Sequence, residues 1–208
     1  MRSRPAVIVL AAGKGARFLG TDHKLVQSLG TGTVLGTTLR HAILSGLPLV
    51  VVTTDALADV ARRSVAARDV VVLPEVGEAS PGLLGMGYSI ATGVSARPDA
   101  SGWLVLPADM PLVQPSTLQA VAKELEHHPV AYAQYRGRRG HPVGFAAELY
   151  SELAMLTGDE GARRLVARYP ALGVEVDDPG VLLDVDTEAD LERLRGAPLE
   201  PVAAAMRR

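Results

Sequence analysis

Short runs of β-branched residues, apolar at every position and not only at alternate ones, constrain this chain more than any other feature. They occur at Ala6 to Ala11, Leu49 to Thr53, Val70 to Leu73 and Trp103 to Leu106, with further runs at Val130 to Tyr135 and Val181 to Val185. A strand that is apolar on both faces must be covered on both faces, which is the condition of a mostly parallel sheet. Helical patterns lie between the runs, at roughly Val34 to Ser45, Leu57 to Ala66, Gly87 to Ser95, Pro115 to Glu126 and Gly161 to Arg168. This alternation predicts a three-layer α/β/α architecture on a mostly parallel sheet. The 208 residues fit one domain, expected over 1–196, and a C-terminal tail over 197–208 that reads as a helix with a frayed end.

Local signals sharpen this outline. Ser116 with Gln119, and Thr187 with Asp190, have the spacing of capping boxes ahead of apolar helical faces. The segment Gly77 to Gly82 is turn-rich and predicts an exposed loop, and Arg136-Gly137-Arg138-Arg139-Gly140 predicts a basic loop between two later strands. Loops at the carboxyl ends of strands form the usual ligand side of an open α/β sheet.

Charge narrows the partners. A formal net charge of -2 argues against broad attraction to nucleic acid or to an anionic membrane, so any phosphate recognition must be local. Cysteine is absent, which removes thiolate nucleophiles and Cys-ligated metal clusters and fits a reducing cytoplasm. The start is basic, but the short apolar stretch after it runs into Gly13 with no plausible cleavage site, so no leader is expected. No apolar run is long enough to span a bilayer.

The first strand runs into Ala11-Ala12-Gly13-Lys14-Gly15-Ala16-Arg17-Phe18, with Lys24 shortly after. Small residues let main-chain N–H groups approach a polyphosphate, and Lys14, Arg17 and Lys24 add positive charge. Read alone, the same segment is equally a tight strand-to-helix turn whose glycines serve only the backbone. Two other phosphate motifs are excluded. Phe18 stands where the third glycine of a dinucleotide fingerprint belongs, and no G-x-x-x-x-G-K-[ST] occurs.

These residues resemble the molybdopterin nucleotidyltransferase-like family, whose opening signature reads L-A-A/G-G-x-G/S-x-R-(M)-G-x-x-K. Leu10 to Arg17 match it and Lys24 fits the following lysine. Blocks at Gly85 to Ile90, Leu106 to Pro111, Gly140 to Phe145, Gly158 to Arg163 and Asp184 to Thr187 each resemble a family block, in family order. Two departures stand out. The usual R-M-G is stretched to Arg17-Phe18-Leu19-Gly20, and Thr21-Asp22-His23 replaces a short Pro-containing link to Lys24. The final D-T-P-E-D-L pattern appears without its proline, as Asp186 to Leu191. The resemblance implies a Rossmann-like nucleotide-diphospho-sugar transferase fold, akin to that of GT-A enzymes.

Asp109 lies where an apolar strand opens to solvent, a place that suits a hard cation such as Mg²⁺, which takes oxygen ligands and is commonly held by one or two carboxylates plus substrate phosphates. The resemblance implies Asp186 as the second ligand, and strand alternation through Val181 to Val185 would put Asp184 on the same side. On the residues alone, Asp109 also reads as a turn aspartate between prolines and Asp186 as a helix N-cap. The implied reaction is attack of an acceptor phosphate on the α-phosphorus of a nucleoside triphosphate. Its implied phosphate-binding and catalytic residues are the main chain of Leu10, Ala11, Ala12, Gly13, Lys14 and Gly15, with Arg17, Lys24 and Asp109.

The Ala11-Ala12 reading points to CTP, because similar enzymes with L-A-A-G tend to use it and those with L-A-G-G use GTP. Gly87 and Ser89 are candidates for the nucleoside side, and His141 with the Arg136 to Arg139 loop for the acceptor. His141 also reads as an ordinary turn residue. The implied acceptor is molybdopterin or its molybdenum form, with a molybdoenzyme as recipient of the product. Three alternatives stay open: a sugar-phosphate nucleotidyltransferase, a GT-A glycosyltransferase, and a nucleotide-binding protein without catalysis.

Overall fold

The fold is taken from a computed structural model that describes residues 3–13, 18, 22–74 and 85–196. Lys14, Gly15 and Arg17, the Gly77 to Gly82 segment and the 197–208 tail lie outside the described residues. Strands and helices run in the order β1 (Ala6–Ala11), the small hairpin β2 (Ser28–Leu29) and β3 (Gly32–Thr33), α1 (Val34–Leu44), β4 (Leu49–Thr53), α2 (Asp55–Arg62), β5 (Val70–Val72), α3 (Met86–Ser95), β6 (Gly102–Pro107) and α4 (Pro115–Glu124). Then come β7 (Val130–Tyr135), β8 (Arg138–Ala146), α5 (Tyr150–Ala154), α6 (Arg163–Arg168), β9 (Ala171–Glu175) and α7 (Glu188–Gly196).

Among the described residues seven strands form one sheet in the order β5-β4-β1-β6-β8-β7-β9. Only β8 opposes the rest, pairing antiparallel with β6 and β7, so the sheet is mostly parallel. The all-apolar runs are explained by two cores, one on each face. Val7, Val9 and Ala11 of β1 pack on one side with Leu35 and Leu39 of α1 and Leu118 of α4. Ala6 and Ile8 pack on the other with Ile90 and Val94 of α3 and with Trp103. Trp103 is fully buried, and its indole N–H donates to Arg97 O at 3.0 Å, so its polar atom is not stranded.

Three expectations are corrected. The Val181 to Val185 run is not a strand. Asp178-Pro179-Gly180 starts a 3-10 turn, with Gly180 N–H donating to Asp178 Oδ1 at 2.9 Å, and the chain continues irregularly to Val185. The basic segment is not an open loop. Arg136 (φ 51) and Gly137 (φ 72) form a two-residue hairpin, and Arg138 already pairs with Tyr135. Positive φ at both central positions is the geometry that matches strand twist in such hairpins. Finally, Ser116 is not a cap, since the cap position of α4 is Gln114 and Gln119 Nε2 donates instead to Ser45 O at 2.9 Å. The Thr187 box does form, with Asp190 N–H donating to Thr187 Oγ1 at 3.2 Å and Thr187 N–H to Asp190 Oδ2 at 2.9 Å.

Candidate active site

The carboxyl ends of β1 and β6 meet at one edge of the sheet. Ala108 N–H donates to Leu10 O at 3.0 Å, and Thr38 Oγ1 of α1 donates to Ala108 O at 2.8 Å, so the turn after β6 is sewn to the first strand and helix. That turn carries Asp109. The 3-10 turn Lys24–Val26 lies across the same edge, and Lys24 Nζ donates to Asp109 Oδ2 at 2.6 Å and to Asp186 Oδ1 at 3.0 Å. These partners are 85 and 162 positions from Lys24 in sequence.

The late acidic segment reaches this edge because it is pinned at several points. Asp178, buried, accepts from Gln114 N–H at 2.8 Å and from Thr117 Oγ1 at 2.6 Å. Val185 N–H donates to Asp109 O at 2.9 Å, which sets Asp186 beside Asp109. Gly140 and Gly180 permit the approach, because a methyl at Gly140 would collide with Val181 O and one at Gly180 with Leu112 O. Gly140→Ala is therefore expected to push Val181 and the acidic segment outward. Overpacking of this kind costs about 1–3 kcal/mol. A urea denaturation midpoint equal to that of the unsubstituted protein would contradict this packing.

Electrostatics at the cluster is unbalanced. Burial alone would lower the Lys24 pKa, but the charge and hydrogen bond of Asp109, together with those of Asp186, outweigh it and raise it above the ordinary lysine value. Lys24 thus stays an ammonium at neutral pH. Burial raises the Asp184 carboxyl above the ordinary aspartate range, and the charges of Asp186 and Asp109 push it the same way against a main-chain hydrogen bond. Asp109 Oδ1 is buried without a hydrogen-bond partner among the described residues. A buried carboxylate oxygen in that condition is costly, and among the described residues three acidic groups beside one ammonium favour a further cation. No group of three or more His, Cys, Asp or Glu side chains among the described residues is arranged to hold a metal by itself. The donor set therefore fits a hard divalent ion that takes its remaining ligands from water and phosphate.

A cavity of about 1030 Å³ opens from the cluster, lined by Gly13, Lys24, Asp109 and Asp186 at one end and by Arg139, His141, Glu160 and Arg163 elsewhere. Leu10 lines it as well. Ala11 is buried in the core, and Ala12 is half-buried at the end of β1. Gly87 and Ser89 are not among the lining residues. Gly87 N–H donates to Gly158 O at 2.8 Å, a methyl at Gly87 would strike Thr157 O, and Ser89 Oγ donates to Gly85 O at 3.2 Å. Gly87 holds the start of α3 against the 157–159 segment, and Ser89 braces the first turn of that helix. The acidic cavity wall at Glu160 and the pinning by Asp178 were missed in sequence. Asp178 precedes a Pro-Gly pair, a turn signal that could have found it.

His141 is half-buried on the cavity wall, where desolvation pushes its imidazole down to about 4, Arg139 adding to the shift and Asp109 opposing it. It is neutral at pH 7. Because the folded protein resists protonating this group while the unfolded chain does not, stability is unaffected above about pH 6.5 and is lost as pH falls from 6.5 to 4. One proton contributes a slope of at most about 1.4 kcal/mol per pH unit. His141→Gln should flatten the acid limb of a denaturation series by that component, and an unchanged limb would count against the burial of His141.

A model of the MobA-like NTP transferase domain matches residues 7–173. Rv0371c of Mycobacterium tuberculosis H37Rv is 30% identical, with a TM-score of 0.80 over 95% of this chain and 100% of that one, and its structure has also been solved in complex with manganese. PucB of Bacillus subtilis, a purine catabolism protein, is 32% identical over 119 residues, 54% of this chain and 57% of PucB. Bifunctional GlmU of Zymomonas mobilis is 35% identical over 124 residues, 59% of this chain. The match spans 27% of GlmU, so this chain corresponds to about a quarter of that relative and to little more than half of PucB.

Proposed function

This chain belongs to the MobA-like NTP transferase family, and on that premise we propose that it transfers a nucleotidyl group, CMP from CTP, to the phosphate of molybdopterin or its molybdenum form with release of pyrophosphate. The observation that carries the reading is the meeting of Lys24, Asp109 and Asp186 at the carboxyl edge of β1 and β6, in a cavity that Gly13 also lines. Two anions must be brought together in such a reaction. At about 4 Å and an effective dielectric near 20 they repel by roughly 4 kcal/mol. Lys24 offsets that repulsion at the reacting phosphates, with the main chain of 11–16 and Arg17 on the triphosphate. Asp109 and Asp186 are the side chains that would hold Mg²⁺ or a related divalent cation, which when bound neutralises charge on the phosphate oxygens. The manganese complex of Rv0371c supports divalent metal use. A phosphate nucleophile needs no general base, so positioning and charge suffice.

The neutral His141, within the field of Asp109, and the arginines of β8 line the same cavity as the acidic cluster, which supports acceptor recognition there. The same chemistry on a sugar phosphate is the second reading, favoured by the GlmU relatives. Among the described residues no helix is long and apolar enough to cross a membrane, and we place the reaction in the cytoplasm with a molybdoenzyme receiving the product. Pyrophosphate release measured across the four nucleoside triphosphates, with molybdopterin and a panel of sugar phosphates, tests class and specificity together. The proposal expects CTP and molybdopterin to give the highest rate. Release with sugar phosphates alone would select the second reading, and no release with any pair would reject both.

A further inference from the structure

We infer that His23 is the positioning residue for Lys24, locking the end of β1 to the turn that presents the ammonium; the catalytic part of this inference rests on the reading above. The imidazole makes two hydrogen bonds. Nδ1 accepts from Leu25 N–H at 3.2 Å, capping the Lys24–Val26 turn, and Nε2 lies 3.0 Å from Gly13 O. A main-chain N–H only donates and a carbonyl only accepts, so the two contacts are satisfied together by one form alone, the neutral imidazole protonated on Nε2. Either other form leaves at least one contact broken.

The imidazole thus joins Gly13, just past β1, to the Lys24 turn. Gln27 Nε2 adds a second tie to Asp22 O at 3.2 Å. On the far side, Val26 N–H donates to His23 O at 2.9 Å, and Val34 N–H at the start of α1 donates to Gln27 O at 3.0 Å. Lys24 therefore sits on a short turn fixed at one end to the sheet edge through His23 and at the other to α1. Its ammonium must meet two carboxylates from different elements, and a long side chain does this economically only if its own main chain is held.

The experiment has two arms. In the first, ¹⁵N-detected histidine spectra of the full chain are recorded near pH 8, together with the Lys24 ammonium signal. The expected result is a protonated Nε2 and unprotonated Nδ1 at His23, and a protected ammonium signal that disappears in His23→Ala. A mixed tautomer, or an ammonium signal that survives in His23→Ala, overturns the inference whatever the protein catalyses. In the second arm, His23→Ala, His23→Asn and His23→Gln are compared in pyrophosphate release, alone and combined with Lys24→Ala. Asparagine keeps an acceptor for Leu25 N–H but is too short for Gly13, so it should restore the melting temperature and leave kcat about tenfold low with KM for the nucleotide changed by less than threefold. The alanine variant should lose about the same and add nothing to Lys24→Ala. Full additivity with Lys24→Ala, or normal kcat in both His23→Ala and His23→Asn, overturns it. An inactive unsubstituted protein with the expected spectra would remove the functional reading and leave the clamp standing.

Discussion

Asp109→Ala is expected to lower turnover by about two orders of magnitude or more in saturating Mg²⁺, on the scale of losing one preorganised electrostatic contact. The carboxylate has two jobs on its two oxygens. Oδ2 takes the Lys24 ammonium at 2.6 Å, and Oδ1 is buried with no hydrogen-bond partner among the described residues, so it is the oxygen that could bind a cation. Alanine removes both at once. Asp109→Asn separates charge from shape, because the amide oxygen can still accept from Lys24 while the negative charge is gone. If asparagine loses as much as alanine, the charge is what matters. Near-normal turnover of the alanine variant in single-turnover measurements would show that the reaction runs without this group. The main chain of the same residue accepts from Val185 N–H, a bond that neither substitution removes, so Asp186 should stay in place in both variants.

The central strands were legible because burial on both faces leaves no room for polar residues. β1 and β4 begin and end where the apolar runs do. β8 was hidden by its own chemistry. It opens Arg138-Arg139-Gly140-His141-Pro142, a string that reads as a turn, and Pro142 is accommodated where the β7–β8 register shifts between Tyr132 and Gln134. A proline has no N–H for the ladder, and irregularities are where sheets tolerate it. β9 is an edge strand, half-buried to exposed, with Gly173 packed under the Gln134 side chain, so its pattern is too weak to stand out. The Val181 to Val185 run failed in the opposite sense. Its residues favour a strand, but the Asp178 side chain claims Gly180 N–H and Pro179 fixes the first turn, so local capping won over β propensity. The alternation argument for Asp184 falls with that strand. Its carboxyl still feels Asp186 and Asp109, because the Val185 hydrogen bond and the Gly140 approach bring the segment in without a ladder. The acidic pair could be named from family blocks; the way it is held could not, since main-chain hydrogen bonds between distant segments leave no periodic trace.

Lys24→Met should reduce turnover by a similar factor and also change what the fold requires of its medium. The Lys24 side chain is 11% exposed and its partners 19% and 20%, so the ammonium is the counter-charge of a mostly buried acidic pair. Removing one member of a buried pair costs about 3–5 kcal/mol, and the residual exposure here puts the expected loss at or below the lower end. Methionine preserves the length of the stem, so the loss reports charge and not packing. The melting temperature in EDTA should therefore fall clearly below that of the unsubstituted protein. A divalent cation that binds the folded state alone adds stability as its concentration exceeds its dissociation constant, about 2.7 kcal/mol at a hundredfold excess. Millimolar Mg²⁺ or Mn²⁺ should thus raise the melting temperature of Lys24→Met more than that of the unsubstituted protein, because the cation meets two carboxylates no longer shared with an ammonium. A cation shift no larger than in the unsubstituted protein would mean that the metal, where it binds, does not use Asp109 and Asp186. A drop in turnover without any drop in EDTA stability would assign Lys24 to the phosphates alone and make its contact with the carboxylates incidental.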